Sequence, residues 1–135
     1  MDRQTLQAAL PEYFAPWVQD LALHVKDFSA EGGVTLLLPN GPRLSRIGGM
    51  LCGQAMMAAA DTAMVLALIQ HFGEFKPCTT VQMNTSFLKP LSGQDGLVQA
   101  KVLRAGKSLA FGEIDIRGAQ DGKSVCRATV TYALL

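Results

Sequence analysis

A 23-residue apolar run, from Ile47 to Ile69, limits the folds that are open to this chain. Its main polar members are Gln54, Asp61 and Thr62. The length would suffice for a membrane span. A central aspartate, however, costs about 2.5–3.5 kcal/mol on membrane-insertion scales, and three glycines stand near the start of the run. We therefore predict a helix from about Leu51 to His71 that is enclosed by protein, with no membrane partner.

The composition predicts one strongly apolar domain, residues 1–135. Hydrophobic residues make up 49% of the chain and charged residues only 17%, against about 25% charged in an average soluble domain. The net charge is +1 and like charges do not cluster, which argues against an extended nucleic-acid surface. So large an apolar surplus predicts sheets that pair between subunits, and therefore a homo-oligomer.

The cysteines and the N-terminus bear on the cellular compartment. Cys52, Cys78 and Cys126 are odd in number and lack the spacing of metal ligands, so we expect neither a disulfide framework nor a zinc site. The first residues are acidic and amide-rich instead of forming a secretory signal. A reducing, cytoplasmic location is the prediction.

The segments around the helix have the patterns of strands. Between Thr80 and Phe87 two sets of residues alternate, as in a strand with one buried face, which puts Thr80 and Asn84 on the same side. We predict an α+β fold in which a curved, mostly antiparallel sheet wraps a long central helix. The other predicted elements are a lid or edge of helical turns in Thr5–Trp17, broken at Pro11 and Pro16; a hairpin of Leu21–Phe28 and Val34–Leu38; and strands Thr79–Leu88, Leu97–Arg104, Ser108–Arg117 and Ser124–Leu134.

Asp61 is the leading candidate for a catalytic residue, because packing does not explain a carboxylate in the middle of an apolar helix. A buried carboxylate is costly unless it is paired or hydrogen-bonded, and no Lys or Arg lies within one helical turn. Its partner must come from another segment, a water or a substrate. Such a carboxylate can act as a general base toward water or as a nucleophile at a carbonyl. A purely structural buried acid is the alternative.

Glycines mark the start of the same helix. Gly48, Gly49 and Gly53 lie where free backbone N–H groups and the positive end of the helix dipole gather. A carbonyl oxygen bound at Gly53 or Gln54 would lie about two turns from Asp61. The alternative is that these glycines serve only the conformation of a loop.

Other polar residues are weaker candidates. Lys89 and Lys107 flank turns at strand ends, where flexible cations can meet a phosphate, although a solvated surface explains them as well. Cys52 stands beside the helix start, yet neither His24 nor His71 has the spacing of a Cys/His pair. We therefore expect an unreactive cysteine.

Four segments carry a family resemblance: GGMLCGQAMMAAADTAMVLAL, CTTVQMNTSFLKP, RAGKSLAFGEIDI and CRATVTYALL. From about Leu36 to the C-terminus the chain resembles the hot-dog fold and, within it, the phenylacetyl-CoA-type acyl-CoA thioesterases of the 4-hydroxybenzoyl-CoA thioesterase superfamily. The specific part is an aspartate within Ala-Asp-Thr-Ala, followed 23 residues later by Asn-x-x-Phe-Leu-Lys-Pro. The resemblance implies a sheet that continues across a dimer, and dimers that often pair into tetramers.

The resemblance also implies roles for three residues. Asp61 would activate water or attack the thioester, and the Gly53 N–H would polarise the thioester carbonyl. Thr80, identified by its spacing from Asn84, would hold the water. These three are the predicted catalytic residues.

Two positions depart from the family's pattern. Cys52 stands where the family has a histidine, and Arg46 stands where it frequently has an asparagine. We hypothesise that Arg46 pairs with Asp61 instead. The predicted substrate contacts are Arg46, Cys52, Gln54, Asn84, Lys89 and Lys107, with the two lysines at the CoA phosphates.

The leading hypothesis is therefore hydrolysis of an acyl-CoA thioester to free acid and CoA at a subunit interface, with no metal or organic cofactor. Because Cys52 replaces the histidine, a non-catalytic acyl-CoA or aromatic-ligand binding protein is the alternative. A hot-dog hydratase or dehydratase fits less well. That chemistry commonly pairs an aspartate with a histidine, and neither His24 nor His71 is suitably placed.

Overall fold

A computed structural model describes residues 1–135 and has the predicted apolar helix at its centre. This helix, α2 (Gly53–Phe72), is long and apolar enough to cross a membrane by length and composition. Most of its residues are nevertheless buried inside the protein. Gly73 ends it in the left-handed region, with φ +78° and its N–H donating to the carbonyl oxygen of Ile69. The long apolar run is therefore the core helix of the fold.

A six-stranded sheet wraps α2, and every neighbouring pair of its strands is antiparallel. Close approach of helix and sheet depends on Gly112, where an added Cβ would lie 2.2 Å from the sulfur of Met64. The strand order is β1-β2-β6-β7-β8-β5, so β5 has one free edge. The strands are β1 (His24–Ser29), β2 (Gly33–Leu38), β3 (Ser45–Arg46), β4 (Met50–Leu51), β5 (Cys78–Phe87), β6 (Gly96–Ala105), β7 (Leu109–Gly118) and β8 (Ser124–Leu134).

The N-terminal prediction is wrong at Pro11. A continuous helix, α1 (Arg3–Tyr13), includes this proline, although an interior proline loses a hydrogen bond. Pro11 stands only two residues before the helix ends, while Leu6 and Leu10 anchor the helix in the core. Packing therefore outweighs the local loss.

The segment before β1 confirms one prediction and corrects another. The predicted break at Pro16 is confirmed, because residues 14 and 15 are not helical and Pro16 starts a separate 3-10 helix, Pro16–Leu21, where its fixed φ is favourable. Ala22 follows in the left-handed region with φ +52°. The first strand therefore begins at His24 and not at the predicted Leu21.

The prediction for the face of Thr80 is also wrong. A β-bulge between Thr80 and Gln82 inserts one residue into β5, so the alternation of faces is interrupted there. Thr80 lies opposite Tyr132 and contacts α2, whereas Asn84 lies on the outer face of the sheet. The other long strands agree with the predicted bounds within one residue. The predicted fold class, an α+β hot-dog fold, is confirmed.

Candidate active site

One face of α2 is left accessible by the rest of the chain. Between residues 54 and 65, the residues that are not buried recur three or four positions apart, the spacing of a single helix face. Asp61 lies within this stripe. The carboxylate thus stands on the part of the helix that a ligand or a partner subunit can reach. The stripe consists of Gln54, Met57, Ala58, Asp61 and Val65.

The partners of Asp61 come from two neighbouring strands. The Thr80 hydroxyl of β5 donates to Oδ1 of Asp61 at 2.9 Å. The Tyr132 hydroxyl of β8 donates to the same Oδ1, and it also lies 2.9 Å from the main-chain carbonyl oxygen of Asp61. No group of the chain donates to Oδ2. One carboxylate oxygen is anchored and the other is free to react.

Tyr132 is a site residue that the sequence reasoning missed. It is 1% exposed, and burial together with the neighbouring Asp61 carboxylate raises the pKa of its hydroxyl well above the ordinary range. The hydroxyl therefore keeps its proton and remains a hydrogen-bond donor. A signal was available, since Ala128 and Val130 alternate with polar residues on β8 and place Tyr132 on the buried face, where a tyrosine hydroxyl requires a partner.

An apolar cavity of about 310 Å³ lies over Asp61. The N-terminal segment supplies part of its wall, and Tyr13 stacks on Phe75 with ring centroids 4.0 Å apart and planes at 7°. Burial and the charge of Asp61 raise the pKa of the Cys78 thiol, which keeps this cavity residue neutral. The lining contains no cation: Tyr13, Phe14, Trp17, Val18, Ala58, Asp61, Thr62, Val65, Phe75, Cys78, Thr79, Thr80 and Tyr132.

A second groove, of about 360 Å³, lies at the start of α2 and brings together Arg46, Gly53 and Lys89. The first N–H groups of a helix have no partner within the helix. Cys52, the N-cap residue of α2, does not supply one with its side chain. The ring of Phe87 lies 3.3 Å from where a Cβ on Gly53 would be. Gly53 is thus a close-contact position as well as a potential donor.

Gly48 and Gly49 have a local structural explanation. Both adopt the left-handed region, with φ +99° and +77°, in the tight turn that joins β3 to β4. The N–H of Gly49 donates to the carbonyl oxygen of Arg46 at 3.1 Å. For these two glycines, the loop alternative explains what the structure shows.

Several predicted residues are not brought together within one chain. Gly53 and Asp61 are eight residues apart on the helix, about 12 Å along its axis, and they line different cavities. The hypothesised pairing of Arg46 with Asp61 is absent, because the ion pairs of the chain are Arg43–Asp20 and Arg117–Asp115.

The remaining predicted contacts are dispersed. Lys89 lies at the Val125 end of β8, and Lys107 lies at the Leu134 end, about 30 Å away along the strand. Asn84 faces a polar groove on the outside of the sheet. Gln54 is exposed beside Gly53 on the accessible stripe.

Comparisons with known proteins agree with this architecture. Residues 48–126 match the thioesterase superfamily. A candidate esterase from Thermoplasma acidophilum is 26% identical over 106 residues, which cover 78% of this chain and 78% of that protein. The crystal structure of a candidate thioesterase from Silicibacter sp. TM1040 matches with a TM-score of 0.88 and 29% sequence identity, and the match covers 100% of this chain and 92% of the other. The E. coli PaaI protein from the phenylacetic acid degradation operon has a TM-score of 0.83 at 18% identity, covering 98% and 93%.

The helix wrapped by an antiparallel sheet defines a hot-dog protein, and the Asp61 carboxylate lies on the accessible face of that helix. Since the family match covers more than half of its residues, the chain belongs to the thioesterase superfamily. The resemblance seen in the sequence is thereby confirmed at the level of family and fold.

Proposed function

We propose that this protein hydrolyses acyl-CoA thioesters in the cytoplasm, with Asp61 as general base or nucleophile. The observation that carries the proposal is the anchored carboxylate. Two hydroxyl groups hold Oδ1 of Asp61, while no group of the chain donates to Oδ2, in a residue that lines an apolar cavity. Membership of the thioesterase superfamily supports thioester hydrolysis as the reaction class.

The proposed site is shared between two subunits. A thioester carbonyl cannot contact both Asp61 and the Gly53 N–H of one chain, which are about 12 Å apart along α2. The free edge of β5 offers a solution, because unpaired strand edges pair readily and this edge exposes Val81 and Phe87, at 58% and 49%. We assign this edge to a second copy of the chain.

The direction of pairing follows from the contacts at the two ends of β5. Thr80 contacts Asp61 at one end, and Phe87 contacts Gly53 at the other. A twofold axis pairs the two copies of β5 antiparallel, so the Phe87 end of one strand lies beside the Thr80 end of the other. Each Asp61 then faces the helix start of the partner subunit. A dimer of this kind has two equivalent sites.

The chemistry assigns a role to each group. In the general-base route, a water attacks the thioester carbon, and Oδ2 of Asp61 takes the proton that later goes to the leaving thiolate. In the nucleophile route, Oδ2 attacks the thioester carbon and the C–S bond breaks, which releases CoA as its thiolate. Water then hydrolyses the mixed anhydride to the free acid and the Asp61 carboxylate, and the proton released goes to the thiolate. The Gly53 N–H of the partner subunit stabilises the oxyanion in both routes. The Thr80 hydroxyl donates a hydrogen bond to Asp61, and its oxygen still has a free lone pair that accepts a hydrogen bond from the water.

The same dimer explains two distant lysines. Lys107 lies at the Thr80 end of its own sheet, and Lys89 lies at the Phe87 end. Antiparallel pairing therefore brings Lys89 of one subunit to the same end as Lys107 of the other. We assign these cations, together with Arg46 beside Gly53, to the phosphates of CoA. The acyl group occupies the cavity over Asp61.

The test is release of free thiol from a panel of acyl-CoA esters by the purified protein. We expect turnover with at least one ester and loss of about 100-fold or more in kcat for Asp61→Asn. Asp27→Asn is the matched control, because Asp27 is exposed on β1, away from the site. Thermal stabilisation by CoA esters without turnover would instead support the non-catalytic binding alternative.

Subunit sharing is tested by mixing two inactive variants. Asp61→Asn and Gly53→Val each disable both sites of a homodimer. A mixed dimer regains one intact site, so random mixing restores about one quarter of wild-type activity. If each site lies within one chain, mixing restores nothing and the shared site is refuted.

A further inference from the structure

The buried hydroxyl of Tyr132 is directed at the residue proposed to carry the reaction. Tyr132 lies opposite Thr80 in the register of β8 and β5, so the two donors reach Asp61 from adjacent strands. Tyr132 is the largest fully buried side chain of the protein, and its ring is fixed by the surrounding core. Its hydroxyl bridges the side chain and the main chain of one residue, Asp61.

We infer that Tyr132 is a positioning residue that fixes the rotamer of Asp61 and directs Oδ2 toward the thioester. This inference rests on the proposed function. Asp61 lies on the accessible face of α2, where an unrestrained carboxylate would rotate among staggered conformers. A rigid donor that holds Oδ1 removes this rotational freedom, so the orientation of Oδ2 is fixed as well. Tyr132 borders the same cavity but is only 1% exposed, and its hydroxyl is taken up by Asp61, so its role in the reaction passes through Asp61.

Burial and the charge of Asp61 keep Tyr132 protonated, so the donor persists throughout the range in which a thioesterase works. Tyr13 and Cys78 are the other titratable side chains of the cavity, and both have pKa values raised by burial. Neither of these two groups therefore ionises near neutral pH.

The test compares Tyr132→Phe with wild type. We expect kcat to fall about 10- to 100-fold with little change in KM, as for loss of one hydrogen bond to a charged group that orients the reacting atom. A lowered kcat at an unchanged KM is the signature of an interaction that orients the reacting atom. Thr131→Val is the matched control, because it removes a hydroxyl from the adjacent position of β8, which lies on the outer face.

A substitution that only loosened the core would lower the melting temperature and leave the kcat of the folded enzyme near the wild-type value, and that outcome overturns the inference. A wild type that hydrolyses no thioester overturns the proposed function instead. If Tyr132→Phe fails to fold, 3-fluorotyrosine at position 132 keeps the shape and strengthens the donor. We then expect an altered kcat at an unchanged KM, because the altered donor still holds Oδ1, and an unchanged kcat refutes the positioning role.

Discussion

The Thr80 hydroxyl lies 2.9 Å from Oδ1 of Asp61, although a regular strand with the alternation of residues 82–87 would turn Thr80 away from the helix. The bulge at Val81 makes the difference. It inserts one unpaired residue, so that Thr80 faces α2 while Gln82 and Asn84 face outward. A local irregularity in β5 therefore completes the contacts of Asp61.

We predict that Thr80→Val lowers kcat by about 10- to 100-fold, because a hydrogen bond to a charged group contributes about 1.5–3 kcal/mol. Thr80→Ser retains the hydroxyl and should retain most of the rate. Steady-state kinetics on the best acyl-CoA ester measure both. Thr129→Val, on the outer face, is the control, and equal losses in Thr80→Val and Thr80→Ser would contradict the prediction.

The cavity over Asp61 should determine which acyl groups are accepted. Ala58 lines this cavity from α2, so Ala58→Phe fills part of its 310 Å³. We predict that kcat/KM for phenylacetyl-CoA falls about 10-fold or more while kcat/KM for acetyl-CoA changes little. Met57→Phe adds the same ring at a neighbouring position that does not line the cavity. A uniform loss for both esters would place the acyl group elsewhere.

Gly53→Ala tests the start of α2. The added methyl group would meet the Phe87 ring at 3.3 Å, and we expect the ring to shift and the oxyanion donor with it. Alanine keeps the backbone N–H, so any loss in kcat comes from displacement of this donor, with about 10²–10³, the cost of losing an oxyanion donor completely, as the upper limit. Alanine is favourable in a helix, so the free energy of unfolding should change by less than about 1 kcal/mol.

Combining Gly53→Ala with Phe87→Leu separates two causes of the loss in rate. The smaller side chain relieves the contact at 3.3 Å, so recovery of kcat identifies displacement of the ring as the cause. Full activity in Gly53→Ala alone would show that the contact with Phe87 does not control the position of the N–H donor. Chemical denaturation checks that each variant remains folded.

Because the Tyr132 hydroxyl is buried, we predict that the free energy of unfolding falls at alkaline pH. In the unfolded chain its hydroxyl ionises near the ordinary pKa of about 10, whereas burial and Asp61 raise the pKa in the folded protein. Above pH 10 the folded state therefore binds more protons, and its free energy of unfolding falls as pH rises, by at most about 1.4 kcal/mol per pH unit.

Urea denaturation between pH 9 and 11 measures this slope. In Tyr132→Phe the contribution of the hydroxyl disappears, so stability falls less steeply than in wild type. Tyr13→Phe is the control, because Tyr13 is 44% exposed and the raised pKa of its hydroxyl contributes less to the slope than that of the buried Tyr132. Identical slopes in wild type and Tyr132→Phe would contradict the prediction.

Long periodic segments were predictable because their hydrophobic patterns and their packing agree. The apolar run around Asp61 was enough to identify a wrapped helix, and the strands from residue 97 onward fall within one residue of their expected bounds. Pro11 shows the opposite case. Local propensity argued for a break, but Leu6 and Leu10 bury against the core and hold α1 through the proline.

By itself the sequence determined that Asp61 is a carboxylate in a helix that must be enclosed, because composition and period are local properties. Only the tertiary structure decided which groups surround it. Tyr132 lies 71 positions away from Asp61, and Thr80 reaches it through a bulge that no alternation rule predicts. Hydrogen bonds between distant segments depend on strand register, and register is set by the packing of the whole sheet around α2.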